Sequence, residues 1–239
     1  MLFRSQGWLP DYRWFVLTAR LRQVAGKIKA GSYELSGADT PARVLERLVA
    51  GDTKHFTVRF IEGTRLVEMR AALGAAEQLQ HILPNLTDAE LAAALEIPQP
   101  NPEGWFFPAS YQYNVGTSDL DILRRAHQRM REELERAWSA RTPDLPYKSP
   151  YEALIMASII EKETGLASER ATIAGVFVRR LKLGMKLQTD PTVIYGIGAE
   201  FDGNIRRTDL RRDTPYNTYT RGGLPPTPIA LAGRAALEA

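Results

Sequence analysis

An almost wholly apolar stretch at residues 153–160 predicts a buried helix between Ser149 and Gly165. Serine is a preferred N-cap, and the proline after it suits the first helical position. The apolar residues leave no broad polar face, which indicates that most of the helix is covered. The helix carries Glu161 and Glu163 in its last turn, and Gly165 is expected in a left-handed conformation just past its end.

Short strands and helices alternate in the first third of the chain. We expect strands at residues 31–35 and 56–61, the second from its alternation of polar and apolar residues. Start and stop signals predict further helices. They begin at Thr40-Pro41, ending at Gly51; at Gly63-Thr64; at Asp88, ending at Leu95; after Ser118; and at Ser168, ending at Gly184.

A loop rich in proline and asparagine at residues 98–102 is the best candidate for a domain boundary. It divides the chain into a first domain, residues 1–97, in which strands and helices are mixed, and a second domain, residues 98–239. The second domain is mainly helical and rich in loops. The predicted fold class is therefore α+β.

The two glutamates at the helix end are the candidate general acids. Apolar neighbours and the negative partial charge of a helix C-terminus both favour the protonated form of a carboxyl group, which a general acid needs. Residues two apart are separated by about 200° around a helix, so Glu161 and Glu163 cannot face the same cleft. The spacing does not choose between them, and both could instead be solvated and paired with Lys162 or Arg170.

Composition excludes several classes of chemistry. The chain has 239 residues, no cysteine and three histidines far apart, so thiolate metal sites are impossible and a histidine-rich metal site is not expected. Neither a phosphate-binding loop nor a Gly-x-Ser-x-Gly elbow is present. The remaining carboxylates, amides and aromatic residues suit cleavage of glycosidic bonds, with no metal or other cofactor.

Charge gives little indication of a partner. The 31 basic and 28 acidic residues leave a formal net charge of +3. Arginines cluster at residues 206–212, but Asp209 and Asp213 interrupt them, so a solvated face is favoured and no nucleic-acid partner is expected. No apolar run is long enough for a membrane helix. Both ends of the chain resemble the interior of a domain, and we expect the intact protein to continue beyond them.

Several motifs follow one another along nearly the whole chain. They are Lys29–Tyr33, Glu103–Gly104 with Phe107, Pro108 and Tyr111, Ala157–Thr164 with Ala167–Arg170, Leu187–Gly196, Tyr216–Tyr219 and Gly223–Pro226. Together they resemble the endolytic murein transglycosylases, bacterial membrane-anchored enzymes that cut the glycan strands of peptidoglycan. The resemblance implies a LysM-like first domain, an anchor in the inner membrane of the intact protein, and a catalytic domain on the periplasmic side.

The resemblance also implies a reaction and its acid. The bond between N-acetylmuramic acid and N-acetylglucosamine would be cut without water, leaving a 1,6-anhydro end. The family glutamate that precedes a threonine corresponds to Glu163, which implies that Glu163 is the catalytic acid and Glu161 a structural or alternative carboxylate. Peptidoglycan strands are then the substrate, and cell-wall synthases (penicillin-binding proteins) are the expected partners.

Polar and aromatic residues of the matching motifs are the candidate sugar contacts. They are Gln188, Asp190, Tyr195, Asn217, Tyr219 and Tyr111. Core packing explains the aromatic residues equally well, and Asp190 could equally be a helix N-cap. Two other functions stay open: a conventional glycoside hydrolase with Asp190 or Glu161 as its second carboxylate, and a non-catalytic murein-binding or scaffold protein.

Overall fold

The computed structural model describes residues 12–239, which are about half helical and contain one small sheet. The α-helices are α1 (Tyr12–Leu21), α2 (Pro41–Ala50), α3 (Leu66–Gly74), α4 (Asp88–Ala94), α5 (Asp119–Ser139), α6 (Pro150–Glu163), α7 (Ala167–Lys182), α8 (Asp190–Ile197), α9 (Arg207–Arg211) and α10 (Arg234–Leu237). Short 3₁₀ turns occur at Ala25–Lys27, Leu83–Asn85 and Gly198–Glu200. The strands are β1 (Phe56–Arg59) and β2 (Ser110–Tyr113). The predicted α+β class is confirmed.

The two strands pair in an antiparallel arrangement. The rings of Phe56 and Tyr113 stack with centroids 5.7 Å apart, and the Phe60 N–H donates to the carbonyl of Ala109. Residue numbers therefore increase along β1 in the direction in which they decrease along β2, which is the antiparallel arrangement. The structure confirms a strand within residues 56–61. The strand predicted at residues 31–35 is wrong, because that segment is not part of a sheet ladder in the structure.

Helix boundaries follow the predicted start signals in most places. Ser149 caps α6 by accepting from the Glu152 N–H, and Gly51 ends α2 in a left-handed conformation. Two details of the prediction are wrong. Helix α7 begins before Ser168, with Leu166 in the capping position, and Gly165 is not left-handed since Thr164 already leaves α6 in an extended conformation.

By internal contacts the chain divides into two compact units. Among the described residues, the first contains 12–57, 77–79 and 112–117, and the second contains 58–76, 80–111 and 118–239. In the first unit α1 packs against α2. Residues 80–97 belong by contacts to the second unit, and the division into domains 1–97 and 98–239 stays a prediction.

Helix α6 is the centre of the second unit. All of its residues from Leu154 to Ile160 are buried, and it packs against α5, α7, α8 and α10. Burial on several sides explains why its sequence has no polar stripe in this stretch. None of the helices in residues 12–239 combines the length and apolar character needed to cross a membrane.

A buried segment near the end of the chain lies along α6. Its residues 229–232 are at most 2 % exposed. The Ile229 N–H donates to the hydroxyl of Ser158 (3.0 Å), and the Gly233 N–H donates to Glu161 (2.9 Å). Because Ser158 and Glu161 are three residues apart, they share the helix face that holds this segment.

Candidate functional site

Glu161 points inward at the end of α6. Its side chain is 5 % exposed and forms an ion pair with Arg170 (2.9 Å), whose side chain is 11 % exposed. The second carboxylate oxygen accepts the N–H of Gly233. Both oxygens therefore bind protein groups, and Glu161 fastens α7 and the final segment to α6.

Glu163 lies on another side of the same helix end and is exposed. One of its oxygens, Oε2, accepts a hydrogen bond from the hydroxyl of Thr189 (2.7 Å). The expectation that apolar neighbours would cover the acid is wrong for this residue. The apolar run stops at Ile160, and in the last turn Arg170 and Gly233 cover Glu161 while Glu163 stays exposed.

The segment before α8 brings polar groups to this carboxylate. Gln188 is exposed and has a positive φ of 53°, a conformation that side-chain-bearing residues seldom adopt. Its N–H donates to the carbonyl of Thr218. Thr189 follows directly, so Gln188 is next to the group that binds Glu163. Gln188 is one of five residues other than glycine with a positive φ in the described part of the chain, and its role as a sugar contact stays a prediction.

Asp190 and Tyr219 form a hydrogen-bonded pair at the start of α8. The Tyr219 hydroxyl donates to Asp190 Oδ1 (2.6 Å). Burial, the hydrogen bond to Asp190 and the charges of Asp190 and Glu163 together raise the pKa of Tyr219 to about 12, although the charge of Arg180 acts to lower it. Asp190 is the first residue of α8, and Thr189 is in the N-cap position instead. The phenol of Tyr219 and the carboxylate of Asp190 form a polar surface beside Glu163.

Two predicted sugar contacts are buried and occupied. Asn217 is 1 % exposed; its amide nitrogen donates to three backbone carbonyls at the end of α9, and its oxygen accepts the Tyr219 N–H. Tyr111 is 4 % exposed, donates to the Phe107 carbonyl (2.7 Å) and packs against Phe60. The polar groups of both side chains are already hydrogen-bonded within the protein, so we assign both residues a structural role.

Tyr195 is half-buried and belongs to a second polar centre. Its hydroxyl donates to Glu103 Oε2 (3.2 Å), and its ring meets Tyr216 edge-on. Glu103 is 4 % exposed, and its other oxygen accepts the N–H of Leu66, the first residue of α3. Burial raises the pKa of Glu103 to about 7, although both hydrogen bonds act to lower it. Burial also raises the pKa of Tyr195.

Within the described residues, neither a cluster of metal ligands nor the cavity beside α6 includes the glutamates at the helix end. Within residues 12–239, no three histidine or carboxylate side chains converge as metal ligands. A cavity of about 370 Å³ lies beside α6, but its lining is mostly apolar and includes neither Glu161 nor Glu163. Because it lacks a converging pair of polar groups, we place the candidate site at Glu163 and not in this cavity.

Two residues of this region were not assigned a role from the sequence. Thr189 stands before Asp-Pro, a pattern that favours an N-cap, so the sequence gives no sign that its hydroxyl binds Glu163. Glu103 lies among five neighbouring apolar or small residues, and that composition was the available signal of a buried carboxyl group. Both contacts join segments distant in sequence.

Nearly the whole sequence matches one known family. Residues 2–239 match the family described as YceG-like. The chain belongs to the YceG-like family. A crystal structure of a yceG-like protein from Listeria monocytogenes superimposes with a TM-score of 0.60 at 28 % identity, covering 96 % of this chain and 80 % of that one.

Curated relatives of this YceG-like chain carry one name. A protein of Bacillus subtilis (strain 168), 32 % identical over 233 residues, is named endolytic murein transglycosylase. The match covers 90 % of this chain and 64 % of the relative. A protein of the same name from Streptococcus pneumoniae (strain D39) is 32 % identical over 142 residues, 57 % of this chain and 25 % of its own length. The chain thus spans less than two thirds of these relatives.

Proposed function

We propose that this YceG-like chain is the glycan-cleaving part of an endolytic murein transglycosylase, with Glu163 as its acid. The observation that carries the proposal is the exposed Glu163 carboxylate at the end of a buried helix, with one oxygen bound by Thr189 and the other free of protein donors among the described contacts. A rigid helix end holds the group, while its exposure allows a long polymer to reach it. The name shared by the relatives supports the class of reaction.

The reaction requires one group that gives and then takes a proton. Protonated Glu163 donates to the glycosidic oxygen as the bond between N-acetylmuramic acid and N-acetylglucosamine breaks through an oxocarbenium-like transition state. The resulting carboxylate accepts the proton of the muramoyl 6-hydroxyl, whose oxygen closes onto C1 as a 1,6-anhydro ring. The hydroxyl belongs to the same sugar, so it reacts at a high effective concentration.

Sugar binding is proposed for the groups that surround Glu163. Gln188, Asp190 and Tyr219 lie next to it and have exposed or half-buried polar groups. The hydroxyl of Tyr195 donates to Glu103 and not to the groups around Glu163. Its ring can contribute a half-buried aromatic surface for a sugar face.

A conventional hydrolase would need a second carboxylate beside the bond that is cut. Glu161 does not suit this role, because both of its oxygens are bound and its side chain is 5 % exposed. Asp190 is exposed and binds only the Tyr219 hydroxyl among the described contacts, so it is the carboxylate that hydrolysis would use. Products distinguish the two reactions, since hydrolysis leaves a reducing end.

Replacing Glu163 by glutamine tests the proposal. Glu163→Gln keeps the shape of the side chain but cannot donate the proton, and we expect release of 1,6-anhydro ends to fall by roughly 100-fold or more. Mass spectrometry of products from purified, uncrosslinked glycan strands measures this. The control is Glu132→Gln, the same change at an exposed residue of α5.

Each outcome of this experiment selects one function. Anhydro ends from the unmodified chain and from Glu132→Gln, but not from Glu163→Gln, support the transglycosylase. Reducing ends would favour the hydrolase. Binding of peptidoglycan sacculi without turnover, unchanged by Glu163→Gln, would favour a murein-binding scaffold protein.

The setting of the intact protein is part of the same proposal. A cell-wall enzyme acts outside the cytoplasm, and we propose attachment to the inner membrane with the catalytic part on the outer side. We also propose that the protein acts together with cell-wall synthases on new glycan strands. A LysM-like role in glycan binding is proposed for the first domain, residues 1–97.

A further inference from the structure

Thr189 is in the N-cap position of α8 but does not cap the helix. An N-cap threonine usually accepts a hydrogen bond from a backbone N–H in the first turn, and Thr189 makes no such side-chain bond. Its hydroxyl instead donates to Glu163 Oε2 (2.7 Å). The hydroxyl therefore binds a residue 26 positions away in the sequence and does not bind the backbone of its own helix.

The backbone of Thr189 is held on both sides by other threonine hydroxyls. Its N–H donates to the hydroxyl of Thr218 (3.1 Å), and its carbonyl accepts the hydroxyl of Thr192 (2.8 Å). The hydroxyls of Thr192 and Thr218 are also in contact (2.9 Å). All three threonines are at most 3 % exposed. This buried threonine cluster, Thr189 with Thr192 and Thr218, fixes the place from which the hydroxyl reaches Glu163.

A strained residue comes directly before this hydroxyl. Gln188 has a φ of 53°, although it is not glycine. Two successive residues thus depart from local preference, one in its backbone and one in its unused cap. Such departures are expected where a site requires them, since nothing in the local sequence favours either.

We propose that Thr189 is the positioning residue for Glu163 and that it sets which carboxyl oxygen meets the substrate. The inference rests on the proposed function of Glu163. Because Oε2 is engaged by Thr189, Oε1 is the oxygen that carries the proton to the glycosidic bond. The two other threonines of the cluster act through the backbone of Thr189 and touch no reacting atom.

The same hydrogen bond acts on both halves of the reaction. In the first half the proton on Oε1 moves to the glycosidic oxygen, and the C1–oxygen bond breaks with its electron pair leaving on that oxygen. In the second half the proton of the 6-hydroxyl moves to the carboxylate while the 6-oxygen bonds to C1. A hydroxyl that donates to a carboxylate favours the ionised form, so Thr189 stabilises Glu163 between the two steps.

A pair of substitutions separates the hydroxyl from the rest of the side chain. Thr189→Val keeps the shape in a buried position and removes the hydroxyl, whereas Thr189→Ser keeps the hydroxyl. With a soluble GlcNAc–MurNAc oligosaccharide as substrate, we expect Thr189→Val to lower kcat roughly tenfold at nearly unchanged KM, the size expected for a hydrogen bond to a charged group. Thr189→Ser is expected to stay near the activity of the unmodified chain.

A spectroscopic readout distinguishes positioning from a structural role. A carbon NMR spectrum of the Glu163 carboxyl group at one fixed pH reports the hydrogen bond from Thr189 without turnover. We expect its chemical shift to move in Thr189→Val and to stay in place in Thr189→Ser. The control is Thr64→Val, whose hydroxyl donates to the Ile61 carbonyl, and it leaves both kcat and the carboxyl chemical shift unchanged.

Failure of this inference and failure of the proposed function give different results. If Glu163→Gln abolishes turnover while Thr189→Val matches the unmodified chain in kcat and in the carboxyl chemical shift, the role of Thr189 is refuted and Glu163 keeps its own. If the unmodified chain forms no anhydro ends, the proposed function fails, and the NMR spectrum still decides whether Thr189 acts on Glu163. An equal loss of activity in Thr189→Ser and Thr189→Val would also refute the role of the hydroxyl.

Discussion

At the scale of single residues, three glutamates of one chain have different surroundings. Glu161 is buried and paired with Arg170, Glu163 is exposed and bound by a hydroxyl, and Glu103 is buried without a basic partner in hydrogen-bonding contact. Periodicity separates the first two, since about 200° of helix lies between them. The group whose pKa burial raises to about 7 is Glu103, which lies outside the helix that the sequence singles out.

Glu103 makes the stability of the protein depend on pH. Its pKa is about 7 when folded and near the ordinary 4.5 when unfolded, so between these values only the folded chain keeps the proton. The stability that this carboxyl group contributes is fully present below pH 4.5, declines as the pH rises and is lost above about 7. The shift corresponds to about 3 kcal/mol.

Glu103→Gln removes this titration while keeping an oxygen that can accept the Leu66 N–H, and its NH₂ group can donate to the Tyr195 hydroxyl in place of the bond that Oε2 accepts. Urea unfolding at several pH values measures the free energy of unfolding of the variant minus that of the unmodified chain. We expect this difference to rise by about 3 kcal/mol between pH 4.5 and 8. The exposed Glu132→Gln gives a flat difference. A flat difference for Glu103→Gln as well would contradict the burial of an unpaired carboxyl group.

At the scale of elements, local signals predict the helices far better than the sheet. The cap at Ser149, the apolar run of α6 and the glycine after α2 are all local, and the structure confirms them. Strand β2 carries a period-two alternation of buried tyrosines, but its strand character depends on pairing with a segment about fifty residues away. Residues 31–35 have the same local appearance, but the structure forms no ladder there, although the Ser32 carbonyl accepts the N–H of Lys54 (2.7 Å).

The candidate site shows the same limit. The sequence predicts that α6 ends in two glutamates on different faces, because the helix period requires it. The sequence does not predict that Glu163 is exposed, nor that the amide nitrogen of Asn217 donates to three backbone carbonyls. Both features depend on loops that fold against other elements. The roles assigned to Glu163, Gln188, Asp190, Tyr195 and Tyr219 stay predictions.

The pair of Glu161 and Arg170 is expected to hold α7 to α6. Arg170→Met leaves the buried carboxylate without its ion-pair partner and is expected to lower the free energy of unfolding by about 3 kcal/mol. Chemical denaturation measures this. The matched control is Arg206→Met, which removes an exposed partner of Asp202 and is expected to have a much smaller effect.

A double-mutant cycle shows whether the effect comes from the pair itself. Glu161→Gln alone keeps an acceptor for the Gly233 N–H, and the combination with Arg170→Met is expected to cost less than the sum of the two single changes. Additive costs would mean that Arg170 contributes through packing alone.

At the scale of the whole molecule, segments from distant parts of the sequence meet beside α6 within the second unit. Gly63 and Leu231 share a backbone hydrogen bond (2.9 Å), and the Leu231 N–H donates to the Thr64 carbonyl (2.8 Å). Gly104 packs directly against Pro228. These contacts bring the loop that carries Glu103 to the segment that Glu161 holds. Each is nonlocal, so the arrangement follows from the complete fold and not from any single stretch of sequence.

Gly104 leaves no room for a side chain in this arrangement. Its φ is +79°, and a Cβ there would overlap the ring of Pro228. Gly104→Ala combines backbone strain with overpacking and is expected to lower the free energy of unfolding by about 2–4 kcal/mol. Gly184 has a similar φ of +67° but open space around it, so Gly184→Ala carries the backbone strain alone, about 1 kcal/mol. Equal costs for the two alanines in urea unfolding would show that Pro228 does not press on Gly104. A larger cost at Gly104, reduced when Pro228→Gly is added, would attribute the excess to this contact.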